Sequence, residues 1–73
     1  LQMGRAREAI RRLEQAVAIT PDNVEALNSL SVAYANEGDI EQALATIDRA
    51  LKLRPSPQIQ KLLRERREQL SRR

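Results

Sequence analysis

The feature that most constrains this 73-residue chain is an internal repeat with a period of 34 residues. Shifting the sequence by that period aligns four identical pairs and five further apolar pairs without a gap. The identical pairs are Gly4 with Gly38, Ala9 with Ala43, Ala16 with Ala50 and Pro21 with Pro55. The apolar pairs are Ala6 with Ile40, Ile10 with Leu44, Leu13 with Ile47, Val17 with Leu51 and Ile19 with Leu53. A period of this length is typical of arrays in which one supersecondary unit stacks on the next.

The apolar residues follow helical spacing throughout the chain. In the segment 24–36, they recur at i, i+3, i+4 and i+7, counting the small Ser31. No stretch alternates with the period of two that a half-buried strand requires. The sequence therefore predicts an all-α chain with four antiparallel helices, near residues 3–19, 23–36, 39–53 and 57–71. Its core is predicted to contain Ile10, Leu13, Val17, Leu27, Leu30, Tyr34, Ala43, Leu44, Ile47, Ala50 and Leu51. On the last helix, the apolar face is predicted from Ile59, Leu62, Leu63, Arg66 and Leu70.

Helix boundaries are marked by residues that satisfy the backbone groups left unpaired at helix ends. The predicted N-caps are Asp22, Asp39 and Ser56, because each can accept a hydrogen bond from a backbone N–H in the first turn. Gly38 is predicted to end the second helix in the left-handed conformation. Turns of two to four residues then force neighbouring helices to run antiparallel.

The composition excludes several function classes. With no His and no Cys, the chain lacks an imidazole base, a thiolate nucleophile and the usual zinc ligands, so we expect no catalytic centre, no metal site and no cofactor. Its apolar runs are too short for a membrane span. The net charge of +3 is unevenly distributed: +2 over residues 1–21, −3 over residues 22–55 and +4 over residues 56–73.

Residues 24–55, VEALNSLSVAYANEGDIEQALATIDRALKLRP, resemble one complete tetratricopeptide repeat. The residues that carry this resemblance are Leu27, Leu30, Ser31, Tyr34, Gly38, Ala43, Ile47, Ala50 and Pro55. Residues 3–21, MGRAREAIRRLEQAVAITP, resemble only the turn and second helix of an earlier repeat. The resemblance implies helical hairpins of an α-solenoid. It also implies that the chain corresponds to the last one and a half repeats of a longer protein.

The resemblance divides the chain into three parts. Residues 1–21 correspond to the second helix of a truncated repeat, and residues 22–55 to one complete repeat. Residues 56–73 depart from the pattern, because the repeat register puts Glu65 where a small residue is expected. We interpret this last part as a basic C-terminal capping helix with a polar outer face.

The resemblance implies a scaffold whose stacked first helices form a concave face that binds a peptide or a partner protein. Its contact residues are predicted on the inner face of the complete repeat, at Glu25, Asn28, Val32 and Asn36. The cationic and amide side chains with which some members of the family clamp a terminal carboxylate are not recognisable here, since Glu25 and Val32 stand at those positions. That class of partner is disfavoured.

Two other functions are weighed against the scaffold. The segment ALNSLSVAYANEGDIEQAL also resembles the opening of a pentatricopeptide repeat, whose arrays read single-stranded RNA. Such a unit tends to close with a Met-containing helix and a glycine shortly before proline, and residues 43–55 contain neither. The second alternative is a purely structural module that associates with other copies of itself.

The basic terminal helix suggests binding to nucleic acid, because cations neutralise phosphates. Its basic residues are Lys61, Arg64, Arg66, Arg67, Arg72 and Arg73. The helix offers no aromatic side chain for base stacking, and arginine is common near helix C-termini, where it complements the helix dipole. We therefore favour a solvated face over a nucleic-acid site.

Self-association is predicted from the incomplete first repeat. Its single helix is expected to expose an apolar stripe toward a first helix that the chain does not contain. The residues of this stripe are Ala6, Ile10, Leu13 and Val17. A large apolar surface left in water is unusual for a monomer, so we predict that the chain pairs with a second copy through this stripe.

The repeat register makes a prediction about stability. Ala43 is expected at a close contact between two helices, where a longer side chain would be overpacked. We expect Ala43→Leu to lower the free energy of unfolding by roughly 1–3 kcal/mol. Thermal unfolding followed by circular dichroism measures this change, and an unaltered transition would exclude the register.

Overall fold

A computed structural model describes the backbone of residues 2–72 and the side chains of residues 5–72. Within this part of the chain, the secondary structure is entirely helical. Its elements are α1 (Gln2–Ile19), α2 (Val24–Asn36), α3 (Ile40–Lys52) and α4 (Pro57–Ser71). The predicted all-α fold is confirmed, with boundaries that differ from the expected ones by at most one residue.

Each helix packs mainly against its neighbours in sequence. The contact between α2 and α3 is the most extensive, followed by α1 with α2 and α3 with α4. Since short turns join the helices, α1 and α3 lie on one side of the molecule and α2 and α4 on the other. The result is a slab of about 36 × 31 × 17 Å, in which α2 packs against α1 and α3.

The core lies between α2 and α3 and extends toward both ends of the chain. Five of its members have no exposed surface at all: Leu27, Ala43, Ile47, Ala50 and Leu63. Four predicted core residues, Ile10, Leu13, Leu44 and Leu51, are half-buried and pack against it.

The complete burial of Ala43 contrasts with Ala45, which is exposed on the same helix. Ala45→Leu is therefore the matched control for the substitution proposed at Ala43.

The starts of the helices confirm two of the three predicted caps. Asp39 accepts a hydrogen bond from the backbone N–H of Gln42 (3.2 Å), and Ser56 accepts one from Ile59 (3.4 Å). The prediction for α2 was wrong by one residue. Asn23, not Asp22, is the N-cap.

The cap of α2 is set by backbone conformation. Asn23 has the extended conformation of an N-cap (φ −82°, ψ 97°), and its Oδ1 accepts from the N–H of Ala26 at 3.1 Å. Asp22 lies one residue too early for its carboxylate to take this role, and it is exposed. Both residue types are good caps, so the sequence alone did not separate them.

The ends of α2 and α3 both use the left-handed conformation, with different residues. Gly38 has a φ of +82°, as predicted, and glycine adopts this conformation without steric cost. At the end of α3, Arg54 has a φ of +53°. A non-glycine residue is strained there, because its Cβ approaches the backbone.

The terminal helix α4 buries a narrower face than its sequence suggested. Leu63 and Leu70 are buried, and Ile59 and Arg66 are half-buried beside them. Leu62, which was predicted on the same face, is 40% exposed. The four packed positions follow the spacing i, i+4, i+7 and i+11 on one side of the helix. Glu65, where a further repeat would need a small residue, is exposed.

The cap of α2 gives a test with a built-in control. We expect Asn23→Ala to destabilise the chain by about 1 kcal/mol, because the first turn of α2 loses its hydrogen-bond acceptor. Asp22→Ala removes a similar side chain one residue away and should change stability by only a few tenths of that amount. Urea unfolding of both variants measures the difference. Equal losses, or a larger loss for Asp22→Ala, would contradict the assignment of the cap.

Candidate functional site

The N-terminal turns of α2 and α4 form a cleft, which we call the α2–α4 cleft. It has a volume of about 300 Å³ and is lined by Val24, Glu25, Asn28, Pro55, Ser56 and Ile59. The walls are largely apolar, with the carboxylate of Glu25 and the amide of Asn28 on the α2 side. Two of the four residues predicted to contact a partner, Glu25 and Asn28, therefore line the same depression.

Asn28 links the two walls of the cleft. Its Oδ1 accepts a hydrogen bond from the guanidinium of Arg66 on α4, and its backbone carbonyl accepts one from the hydroxyl of Ser31 (2.7 Å). Because the side-chain oxygen is engaged, the Nδ2 group of the same amide retains its two hydrogens as donors for another acceptor. Asn28 is half-buried, so this donor group is held in a restricted position.

The other two predicted contact residues lie further along α2. Val32 is 36% exposed and Asn36 is exposed, one and two turns beyond Asn28. Neither lines the α2–α4 cleft. The four predicted residues thus share one face of α2 but not one depression.

Half of the cleft was missed by the sequence analysis, because it comes from the far end of the chain. Pro55, Ser56 and Ile59 form the second wall, and Arg66 reaches Asn28 from the same helix. Two successive antiparallel turns bring the start of α4 beside the start of α2. The order of the helices therefore indicates that α4 lies beside α2, although no local motif in the sequence marks the second wall of the cleft.

The α1 stripe predicted for self-association is partly covered by the chain itself. Val17 is 4% exposed, and Ala6, Ile10 and Leu13 are half-buried. Val17 was predicted both in the core and in this stripe, and the structure places it in the core, because α2 packs against this side of α1. Pairing with a second copy through α1 stays a prediction.

Basic side chains of α4 are engaged within the chain. Arg67 forms an ion pair with Asp48 of α3 (2.7 Å), and Arg72 forms one with Glu68 (2.6 Å). Arg66 donates to Asn28. The contacts of Arg66 and Arg67 join α4 to the preceding hairpin, whereas the pair of Arg72 with Glu68 lies at the end of α4 itself. The two ion pairs partly neutralise the charge of the helix. Arg73 lies outside the described residues.

A second depression, the α1–α3 groove, opens on the other side of the slab. It has a volume of about 370 Å³, and the side chains of Tyr34 and Leu30 form its floor between α1 and α3. Tyr34 is 9% exposed, and its hydroxyl donates a hydrogen bond to Glu14 Oε2 at 2.5 Å. The ring thus packs in the core while its hydroxyl ties α2 to α1.

The environment of Tyr34 changes its ionisation. Burial, together with the hydrogen bond and negative charge of Glu14, raises the pKa of Tyr34 to about 12. Asp39 adds to this effect, and Arg49 opposes it. Each contribution that raises the pKa does so by disfavouring the tyrosinate anion.

Neither depression has the ligands of a metal site. Within the part of the chain that the structure describes, no three acidic side chains converge. None of the described helices combines the length and apolar character that crossing a bilayer requires.

Comparison with known proteins identifies relatives of this chain. The family model of the tetratricopeptide repeat matches residues 1–65. The chain is 44% identical over 52 residues to cellulose synthase operon protein C of Escherichia coli K12, and equally so to the putative protein of that name in strain O157:H7. It is 49% identical over 43 residues to the peroxisomal targeting signal receptor of Yarrowia lipolytica.

The matched segments cover 71% of this chain in the cellulose synthase operon proteins and 59% in the receptor. The chain spans 4% of the length of the first two relatives and 7% of the third. No solved structure matches it.

The ionisation of Tyr34 predicts a loss of stability at high pH. The unfolded chain deprotonates its tyrosine near pH 10, whereas the folded chain does so near pH 12. The stability linked to this group is complete below pH 10 and is lost as the pH rises toward 12. Because the sequence has one tyrosine, tyrosinate absorbance follows the ionisation of Tyr34 alone. Circular dichroism follows the unfolding of the chain.

Glu14→Gln is the matched variant for this titration. It keeps an acceptor near the hydroxyl but removes the negative charge, so the tyrosine should ionise at a lower pH. A folded chain that titrates near pH 10, or a variant that titrates like the unmodified chain, would refute the role of Glu14.

Proposed function

Since the chain belongs to the tetratricopeptide repeat family, whose repeats are generally protein–protein interaction modules, we propose that it binds a peptide segment of a partner protein on the face formed by α2 and α4. In this proposal, residues 22–55 supply one complete repeat and residues 56–73 supply the helix that caps it. Residues 1–21 are the second helix of the preceding repeat.

The observation that carries this proposal is the α2–α4 cleft beside a fixed amide. A volume of about 300 Å³ is at the lower end of the range for ligand pockets, so it suits a side chain of a peptide better than a large cofactor. Val24, Pro55 and Ile59 offer apolar walls for such a side chain. Peptide sites commonly combine a pocket of this kind with hydrogen bonds to the peptide backbone.

Asn28 supplies the polar contact. With Oδ1 bonded to Arg66, its Nδ2 group donates to a backbone carbonyl of the bound peptide. Glu25, at the rim of the cleft, favours a cationic group or an N–H donor on the partner. Val32 and Asn36 extend the same face and contact the peptide beyond the cleft.

One relative supports a binding function. It is named as a receptor for a peroxisomal targeting signal, and this chain matches 7% of its length. That relationship supports the class of function, and the identity of the partner is left to experiment.

The proposal predicts that truncating the inner face weakens binding without unfolding α2. The probe is a pool of capped pentapeptides with leucine at the centre and all other positions randomised. A combined change of Asn28, Val32 and Asn36 to Ala should weaken binding about tenfold, the effect of losing one hydrogen bond and part of an apolar contact. Backbone amide shifts in a titration of the labelled chain report both the affinity and the site.

Two controls accompany this test. Gln15→Ala removes an exposed amide on α1, remote from the cleft, and should leave binding unchanged. A pool with central aspartate should bind less well, because the walls of the cleft are apolar. If binding survives the triple change but is lost when the terminal arginines are neutralised, the α2–α4 face is not the binding site.

A further inference from the structure

The α1–α3 groove takes no part in the function proposed above. Its walls belong to α1 and α3, and its floor is formed by Leu30 and Tyr34 of α2, which are 3% and 9% exposed. The walls include two short, exposed side chains, Ala18 on α1 and Ala45 on α3. Because these side chains are short, the apolar floor stays accessible to a molecule that approaches between the two helices.

Opposite charges stand on the two walls of the groove. Glu14 on α1 and Arg49 on α3 are exposed, and both lie close enough to Tyr34 to affect its pKa, in opposite directions. Within the described residues, Arg49 belongs to no ion pair. Glu14 accepts the hydrogen bond of Tyr34 through Oε2, so its Oε1 is left for another donor. The groove therefore offers a cation on one wall and a carboxylate oxygen on the other.

The length of the groove suits a short extended segment of polypeptide. Along α3, its lining runs from Gln42 to Arg49, which is a rise of about 10 Å along the helix axis. Three residues of an extended chain cover about 10 Å. The backbone N–H and C=O groups of such a segment point sideways, and the side-chain amide of Gln42 offers both a donor and an acceptor to them. A helix pairs these groups internally and would not use the amide.

We propose that the α1–α3 groove binds an extended segment of a partner protein in which one apolar residue lies between a basic and an acidic residue. Successive side chains of an extended chain point to opposite faces. The apolar side chain therefore contacts the floor, while its two charged neighbours point outward and bend toward the walls. The basic side chain pairs with Glu14 and the acidic one with Arg49, so the partner matches the charge of both walls.

This proposal does not depend on the proposed function, because the groove and the α2–α4 cleft share no lining residue. Both walls and the floor of the groove come from the described helices. Its shape is therefore determined by contacts within this chain.

A second copy of this chain is a poorer occupant. In the whole sequence, one triplet has an apolar residue between opposite charges, and it consists of Arg12, Leu13 and Glu14. This triplet is helical in α1, and Leu13 packs against the core. Another copy could offer it to the groove only by unfolding its own α1.

The test uses three pentapeptides that are blocked at both ends and have glycine at the first and last positions. The central triplet of the first is lysine, leucine, glutamate. The second has lysine on both sides of the leucine, and the third has glutamate on both sides. Each is titrated into the isotope-labelled 73-residue chain, and amide shifts report the affinity and the site. The mixed-charge peptide should bind about fivefold more tightly than either of the others, because each of those replaces one attraction with a repulsion. Shifts should concentrate around Ala18 and Ala45, and the difference in affinity should shrink at high salt.

Charge reversal gives a variant that a folding defect does not imitate. With Arg49→Glu, both walls are acidic, so the peptide with two lysines should become the tightest binder, by about fivefold over the mixed-charge peptide. Lys52→Glu is the matched control, because it makes the same change of charge at an exposed position of α3 that does not line the groove. It should keep the original order of affinities. The triple change of Asn28, Val32 and Asn36 to Ala should also leave binding of the mixed-charge peptide within twofold.

Four results would overturn the proposal. The first is no binding of the mixed-charge peptide at millimolar concentration. The second is an order of affinities that Arg49→Glu leaves unchanged. The third is a set of shifts centred on Glu25 and Asn28 and lost with the triple change, which would assign the peptide to the α2–α4 cleft. The fourth is self-association of the chain alone, detected by sedimentation and abolished by Arg49→Glu, which would make a second copy the occupant of the groove.

Discussion

The close approach of α2 and α3 is the contact on which the rest of the molecule depends. Ser31, Ala43 and Ala50 have no exposed surface, and short side chains at these points let two helices pack at close range. The hydroxyl of Ser31 bonds to the carbonyl of Asn28, so even this polar side chain is buried without an unpaired group. The position of α3 relative to α2 then determines where α4 lies, and therefore whether the α2–α4 cleft exists.

The sequence predicted the helices well because their signals are local. Asp39 and Gly38 stand at a turn where cap, glycine and apolar spacing agree, and the structure confirms both roles. At the start of α2, the sequence offers two adjacent residues with suitable side-chain oxygens. Asn23 and Asp22 differ there only in backbone conformation, which periodicity does not reveal. The same reasoning succeeded at Ser56, because the following proline fixes the first helical position.

The candidate surfaces were predicted less completely, for reasons that follow from helix geometry. Periodicity identified Glu25 and Asn28 on one face of α2, but the opposite wall of the cleft comes from α4. On α1, the apolar residues cover two adjoining sides of the helix, and spacing alone does not show which side has a neighbour. Val17 was therefore assigned both to the core and to the self-association stripe, and α2 buries it, while Ala9, a less apolar signal, is the exposed position.

Packing between sequence neighbours also governs how the molecule comes apart. The helices form a chain of pairwise contacts, so stability resembles a sum of local terms and their interfaces. In the part of the chain that the structure describes, the central hairpin of α2 and α3 has support on both sides, whereas α1 and α4 each have their main support on one side. Partial opening therefore begins at these outer helices and leaves the hairpin intact. The two ends of the slab are loosely coupled. A structural change at one end reaches the other end only through α2 and α3.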